Sequence, residues 1–439
     1  MRIMLITLLT LLSSQLFAQT QQFTLDNGLK ILVREDHRAP IAVFMIWYNV
    51  GSADEPGGIT GISHVLEHLM FKGTKKYPLG VFSKTVAAVG GQLNAMTNTD
   101  YTAYYEQIAA PHLAMSFKLE ADRMQRLLID KDEFGREIKV IQEERRMRTD
   151  NSPQALTYER FLAAAHLGAP YHHPVIGWMN DLKTMDVNDA KTWYQRYYAP
   201  NNATLVVVGD VEAAQVYALA QQYFGSMAKH ALPLRKLQQE PPALGLKTVR
   251  VQSPSQIPVI ILGYTVPTVK TATPEQALTP YALDLIHCIL ALGDNARFNA
   301  RLVRGSQIAS GLVVNYNGYA RDQTQFVLMG TPSKNHTLAE LKSGMLHEIN
   351  VLKTTRINEH ALQRIKTQLI AQKTFQRDSI YDQAVELGML ETVGLGWKTA
   401  DQYIERMNRV TAEQIQKTAQ RYFKNNNMTE ARLVPEGVK

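Results

Sequence analysis

Two histidines and a glutamate lie within five residues of one another, at His64, Glu67 and His68. The surrounding segment, from Gly61 to Gly73, has the pattern of a short helix that ends at a glycine. Residues four apart in a helix project from one face, so the two imidazoles point to the same side at a separation that suits a tetrahedral zinc ion. Glu67 lies beside them, where its carboxylate would take a proton from a water molecule at the metal.

The same pattern also fits an amphipathic helix with two surface histidines and an acidic neighbour. A catalytic zinc site needs a third protein ligand and an open position for water. The next acidic helix, predicted over 130–148, offers Glu137 and Glu144, which are seven residues apart and share one face, whereas Glu143 points elsewhere. The alternative for these glutamates is a solvated helix surface paired with neighbouring arginine and lysine side chains.

Length and composition describe an ordinary globular protein. The chain has 439 residues, more than a single core usually organises, so two domains are expected. Its apolar content is 45% and its charged content 20%, which excludes the disordered and fibrous classes. The formal charge is +7, but the basic residues are scattered, so a solvated surface is expected and a nucleic-acid partner is not.

The first eighteen residues have the pattern of a secretory signal. A basic start is followed by an apolar run from Ile3 to Leu12 and a polar end, with cleavage expected after Ala18. A membrane anchor is the alternative, but this run is shorter than the roughly 20 apolar residues that a bilayer requires. We therefore expect a signal peptide over 1–18, a mature protein without an integral membrane segment, and a periplasmic location. The single cysteine, Cys288, fits a large core that needs no disulfide.

The chain contains an internal duplication. The segment 189–206 resembles the segment 413–433, and the apolar runs 39–50 and 257–266 occupy corresponding places. A proline-rich polar stretch separates the two copies, so we predict domains over 19–230 and 246–439 with a linker over 231–245. Each domain is expected to be α+β, a largely antiparallel sheet with helices packed on it. The second copy contains no H-x-x-E-H motif.

Four motifs together resemble the pitrilysin/insulysin family of zinc peptidases, which includes the mitochondrial processing peptidases and bacterial periplasmic homologues. The resemblance covers nearly the whole mature chain, and the order H-x-x-E-H is that of the inverted zinc-peptidase motif. The motifs are His64-x-x-Glu67-His68, the segment 90–95 running into 100–105, Glu137-x6-Glu144, and the segment 198–204.

This resemblance assigns roles to residues. It implies one zinc per chain with Glu144 as the third ligand and Glu143 as the fallback, and it makes Glu137 the carboxylate that orients a ligating histidine. It also implies that Asn94 and Ala95 form a strand edge against which an extended substrate pairs. The alternative for Asn94 is a turn residue at the end of a strand. Two homologous domains would then close like a clamshell around a chamber.

One departure from the family pattern affects activity. Where active single-chain members carry an arginine and, seven residues on, a tyrosine that steadies the oxyanion, this chain places Val303 and Ser310, although Arg304, Tyr316 and Tyr319 are nearby. The resemblance therefore implies an endopeptidase for unstructured peptides that is completed, as a homo- or heterodimer, by a related subunit carrying the pair. The rivals are a non-catalytic assembly or binding subunit that keeps the fold, and a metal-dependent hydrolase of other substrates.

Overall fold

The computed structural model describes residues 19–236, 238 and 240–436, and within them the strands form two sheets. The first sheet contains β1 (Gln21–Thr24), β2 (Lys30–Glu35), β3 (Ile41–Tyr48), β4 (Gln92–Thr97), β5 (Thr102–Ala109) and β6 (Ala203–Gly209). The second contains β7 (Lys247–Ser253), β8 (Val259–Val266), β9 (Ala309–Asn315), β10 (Thr324–Pro332) and β11 (Met428–Pro435).

The two sheets repeat one strand order. The first reads β1-β2-β6-β3-β5-β4 and the second β7-β11-β8-β10-β9, so every strand from β7 to β11 has a counterpart in the first sheet. One pair in each sheet is parallel, β2 with β6 and β7 with β11, and the other pairs are antiparallel. The shared order is what a duplicated α+β unit predicts.

Fourteen α-helices lie in the described part of the chain. The first half holds α1 (Ile62–Leu69), α2 (Val81–Ala88), α3 (Leu113–Arg126), α4 (Lys131–Arg145), α5 (Pro153–Ala165), α6 (Met179–Thr184), α7 (Val187–Tyr197) and α8 (Ala213–Phe224). The second half holds α9 (Thr279–Ala291), α10 (Leu338–Thr354), α11 (Glu359–Gln376), α12 (Ile380–Thr392), α13 (Thr399–Arg409) and α14 (Ala412–Tyr422).

Each sheet is covered on one face by a helix from the other half of the chain. Strand β3 is buried along almost its whole length because both of its faces are covered. The outer face of the first sheet, which includes Val43, Trp47 and Val206, packs against Leu387 of α12. The second sheet is covered in the same way by α5, and this second core contains Phe161, Val259, Ile261, Val327, Ala431 and Leu433.

Two glycines allow each of these helices to pack on the sheet of the other half. A Cβ atom on Gly388 of α12 would clash with the indole of Trp47, and one on Gly263 of β8 would clash with the ring of Phe161. Both aromatic side chains are fully buried. The absence of a side chain at each glycine therefore lets a helix from one half lie directly against a strand of the other.

An ion-pair network also joins the halves. Arg321 in the second half lies 3.3 Å from an Asp54 carboxylate oxygen and 3.5 Å from one of Asp100. Arg235 donates to the same Asp54 carboxylate at 2.6 Å. Arg321, Asp54 and Asp100 are largely shielded from solvent, whereas Arg235 is exposed. Shielding makes the pairs of Arg321 stronger than those at a free surface.

The predicted α+β architecture of two sheets packed with helices is confirmed. The domain limits at 230 and 246 stay predictions, and the expected signal peptide lies outside the described residues. Among the helices that the structure describes, none combines the length and the apolar content needed to cross a bilayer.

Candidate metal centre

Helix α1 begins on a buried carboxylate that the sequence patterns did not single out. Gly61, just before the helix, has a positive φ of 89° that suits glycine. The carboxylate of Glu55 accepts hydrogen bonds from the amides of Gly61 at 2.6 Å and Ser63 at 2.9 Å. Burial outweighs these bonds and raises the pKa of Glu55 to about 8. An acidic residue shortly before a helix start was the signal that could have found it.

The helix is shorter than the sequence predicts but keeps its chemistry. It ends at Leu69, and a turn follows up to Gly73, which has a φ of 93°. The rings of His64 and His68 lie one turn apart with centroids separated by 4.8 Å. Burial, with smaller effects of His68 and Arg148, lowers the pKa of His64 to about 3, so its imidazole is neutral and can donate a lone pair to a metal.

Helix α4 brings a carboxylate to the two histidines. Oε2 of Glu144 lies 3.8 Å from Nε2 of His64 and 3.5 Å from Nε2 of His68, and one ligand atom from each residue falls within 4.8 Å of the others. Two imidazole nitrogens and a carboxylate oxygen are the donor set of many catalytic zinc sites. The other oxygen of Glu144 pairs with Arg148 at 2.7 Å, so one oxygen is left for a metal.

Two other glutamates of α4, Glu137 and Glu143, lie on different faces of the helix. Glu137 is two turns before Glu144 and accepts from Nδ1 of His68 at 3.2 Å, while Lys72 holds its other oxygen at 2.6 Å. A bond of this kind fixes the ring orientation and leaves Nε2 for a metal. Glu143 points away, is exposed, and pairs with Arg146 at 2.7 Å.

Glu67 lies on α1 between the two histidines. Its Oε2 accepts a hydrogen bond from the hydroxyl of Thr97, and burial raises its pKa above the ordinary value. A carboxylate with a raised pKa is better matched to taking up and releasing protons near neutral pH. Thr97 is a second residue of the site that the sequence reasoning missed.

Strand β4 is an edge of the first sheet. It pairs with β5 alone and contains Asn94 and Ala95, the residues expected to meet a substrate. The side-chain oxygen of Asn94 accepts from the amide of Ala95 at 2.9 Å. An unpaired strand edge can accept an added strand, so this placement suits the expected role.

Val303 and Ser310, the residues at the arginine and tyrosine positions of the family pattern, lie in the second half of the chain. Val303 ends a π-helical turn over Phe298–Val303, and the hydroxyl of Ser310 donates to the carbonyl of Thr331 at 3.2 Å. Arg304 and Tyr316 donate to backbone carbonyls of the same half. These bonds engage both side chains locally.

Two family models together span most of the chain. The model described as insulinase, peptidase family M16, matches residues 30–177, which include every residue of the His-His-Glu cluster and Glu67. The model described as the peptidase M16 inactive domain matches residues 184–369.

Curated relatives and solved structures agree. Zinc protease PqqE of Helicobacter pylori is 33% identical over 369 residues, covering 82% of this chain and 81% of that protein. The crystal structure of a protease from Helicobacter pylori is similar with a TM-score of 0.90 at 30% identity, covering 95% of this chain and 100% of that one. Cytochrome b-c1 complex subunit 1 of Rattus norvegicus is 30% identical over 211 residues, 48% of this chain and 44% of that protein.

The relationship to a zinc protease extends over most of both chains, and the described fold agrees with it. The chain therefore belongs to peptidase family M16, the insulinase family.

Proposed function

We propose that this protein is a zinc-dependent endopeptidase that cleaves unstructured peptides. The observation that carries the proposal is the convergence of His64, His68 and Glu144 with Glu67 on the same helix as the histidines. We assign the first three as ligands of one zinc ion and Glu67 as the general base. Zinc proteases among its relatives support this assignment.

In the proposed mechanism, the zinc ion and the protein side chains have separate roles. Bound zinc would supply a Lewis acid for the attacking water and the scissile carbonyl. Glu67 accepts one proton of the water while the water oxygen bonds to the carbonyl carbon. It then gives that proton to the leaving nitrogen as the C–N bond breaks. Glu137 orients His68, with Lys72 holding the far side of that carboxylate.

We propose that the substrate lies as an added strand along β4. Backbone groups at Asn94 and Ala95 would pair with any extended peptide, so sequence preference would come only from side chains at alternate positions. A folded protein does not offer such a strand, which is why we expect unstructured peptides to be the substrates.

We propose that a related subunit completes the site. The observation is the combination of an intact metal cluster with Val303 and Ser310 at the arginine and tyrosine positions. Losing an oxyanion donor costs about 10²–10³ in rate, so the chain alone should be slow. A partner of the same fold that carries the pair would restore the rate. We place this assembly in the periplasm, on the signal pattern at 1–18.

The second candidate function is a non-catalytic assembly or binding subunit. The similarity of half of the chain to cytochrome b-c1 complex subunit 1 favours it, as does the match of residues 184–369 to a domain described as inactive. We prefer the peptidase because His64, Glu67, His68 and Glu144 are all present and converge.

The test compares the mature wild-type protein with Glu67→Gln for zinc content and cleavage of a quenched, unstructured peptide. We expect about one zinc per chain in both proteins and cleavage by the wild type alone. Cleavage that persists in Glu67→Gln would remove Glu67 as the base. Tight zinc binding with no cleavage, even with a related arginine- and tyrosine-bearing subunit added, would favour the binding subunit.

A further inference from the structure

The proposed base has a fixed partner outside its own helix. The hydroxyl of Thr97, the last residue of β4, donates a hydrogen bond to Oε2 of Glu67. Alternation along the strand places Thr97 on the same face as Ala95, and Ala95 packs against the core that lies beneath α1. This bond therefore joins the helix that carries His64 and His68 to the edge strand.

The segments on either side of this bond are also fixed to each other. The amide of Ser52 donates to the carbonyl of Asn98 at 3.2 Å, and the amide of Ala53 donates to that of Thr99 at 2.9 Å. A Cβ atom on Gly51 would clash with both carbonyls, so only glycine allows this close approach. The loop that leads to α1 and the turn that ends β4 are thus held together independently of Thr97.

We propose that Thr97 is a positioning residue for the general base. Its hydroxyl fixes Oε2 of Glu67, which leaves Oε1 to take the proton of the attacking water, and it ties this orientation to the strand on which the peptide pairs. This inference rests on the proposed function. A hydrogen bond to a charged group is stronger than one between neutral groups, and a base that is held in reach avoids losing orientations at each turnover.

The first experiment compares Thr97→Val, Thr97→Ser and the control Thr99→Val in the zinc-loaded protein, assayed with its partner subunit if activity requires one. Valine keeps the shape of threonine and removes the hydroxyl, while serine keeps the hydroxyl. Thr99 lies two residues after Thr97, and its side chain has no role in the proposed site. We expect kcat to fall about 10- to 100-fold in Thr97→Val at unchanged KM and zinc content.

The serine variant distinguishes a positioning role of the Thr97 hydroxyl from a packing role of the whole side chain. Thr97→Ser should retain kcat within about threefold of wild type, and Thr99→Val should be indistinguishable from it. A wild-type kcat in Thr97→Val, an equal loss in Thr97→Ser, or a loss of zinc in Thr97→Val would each overturn the proposal.

A second readout does not depend on activity. In metal-free protein, urea unfolding of Thr97→Val, Glu67→Ala and the double variant should show a non-additive effect, about three- to tenfold in the unfolding equilibrium constant. Additive effects would show that the two side chains do not interact and would overturn the proposal. A wild type that binds zinc but cleaves nothing would instead contradict the proposed function, while this coupling would still report on the Thr97–Glu67 bond.

Discussion

Two adjacent glutamates near the end of α4 have opposite surroundings. Glu144 is mostly buried and faces the two histidines, whereas Glu143 is exposed and pairs with Arg146. In the proposed site, a zinc ion would lose one of three protein ligands when Glu144 becomes glutamine and none when Glu143 does.

We therefore expect Glu144→Gln to lower zinc affinity by more than about 100-fold, since even residues that only orient a ligand typically cost 10- to 100-fold. Glu143→Gln should bind zinc like the wild type. Zinc affinity, measured by competition with a chromophoric chelator, checks both. Equal affinities in the two variants would remove Glu144 from the ligand set.

A second residue-scale prediction concerns the pH dependence of stability at a buried aspartate of the second half. Asp284 on α9 accepts from the hydroxyl of Tyr403 at 3.1 Å, and burial raises its pKa from 3.8 to about 6. The folded state therefore holds a proton on Asp284 that the unfolded chain has already released. Its contribution to stability is complete below pH 3.8 and is lost as the pH rises through about 6.

The difference in unfolding free energy between wild type and Asp284→Asn should isolate this effect. The unfolding free energy of the wild type should fall by at most about 3 kcal/mol relative to that of the variant between pH 4 and pH 7. Above pH 7 the difference between the two proteins should be constant. Urea unfolding at a series of pH values measures it. A difference that did not change with pH would show that Asp284 titrates normally.

What the sequence predicts at this scale is the local part of the site. The i, i+4 histidines and the seven-residue spacing of Glu137 and Glu144 follow from helix geometry, so their faces could be predicted. Thr97 could not, because its contact with α1 depends on how a strand packs against the helix. For Glu55 the sequence offers only the signal of an acidic residue shortly before a helix start.

At the scale of elements, α12 depends on having no side chain where it meets Trp47. Gly388→Ala would force the buried indole or the helix to move, so we expect a loss of about 1–3 kcal/mol in unfolding free energy. Gly135 in α4 is the matched control, since a Cβ atom there meets nothing within 4 Å. Gly135→Ala should gain up to about 1 kcal/mol because alanine favours the helix.

Thermal unfolding of both variants checks this pair of expectations. If Gly388→Ala were as stable as the wild type, α12 could not be packed directly on β3. Periodicity in the sequence predicted the strand-like runs at 39–50 and 257–266 and the helices that correspond to α1 and α4. It did not predict that α5 and α12 each cover the sheet of the other half, because a helical pattern does not say which of two similar sheets it will cover.

At the scale of the whole molecule, neither half has a complete core of its own. Removing 231–439 would expose the outer face of the first sheet, where Leu32, Val43, Met45, Trp47, Val206 and Val208 are fully buried in the intact chain. We expect a 19–230 fragment to aggregate or to bind the dye ANS strongly, while the intact chain unfolds in one transition. A soluble monomeric fragment with little ANS binding would contradict this expectation.

The duplication itself was visible in the sequence, because both copies keep the same helix, turn and strand in the same order. The interlocking of the copies was not visible, since it depends on contacts between residues that are far apart in the chain, such as Asp54 with Arg321.

Because α12 covers the first sheet, that sheet can be completed only late in the synthesis of the chain. A ribosome makes residues 380–392 long after it has made β6, so a nascent chain has every proposed zinc ligand before it has the helix that completes their domain. The ligands reach their final support only when synthesis is almost finished. On the proposed function, a peptidase built in this way would stay inactive while it is being made, which suits a chain that we propose is exported.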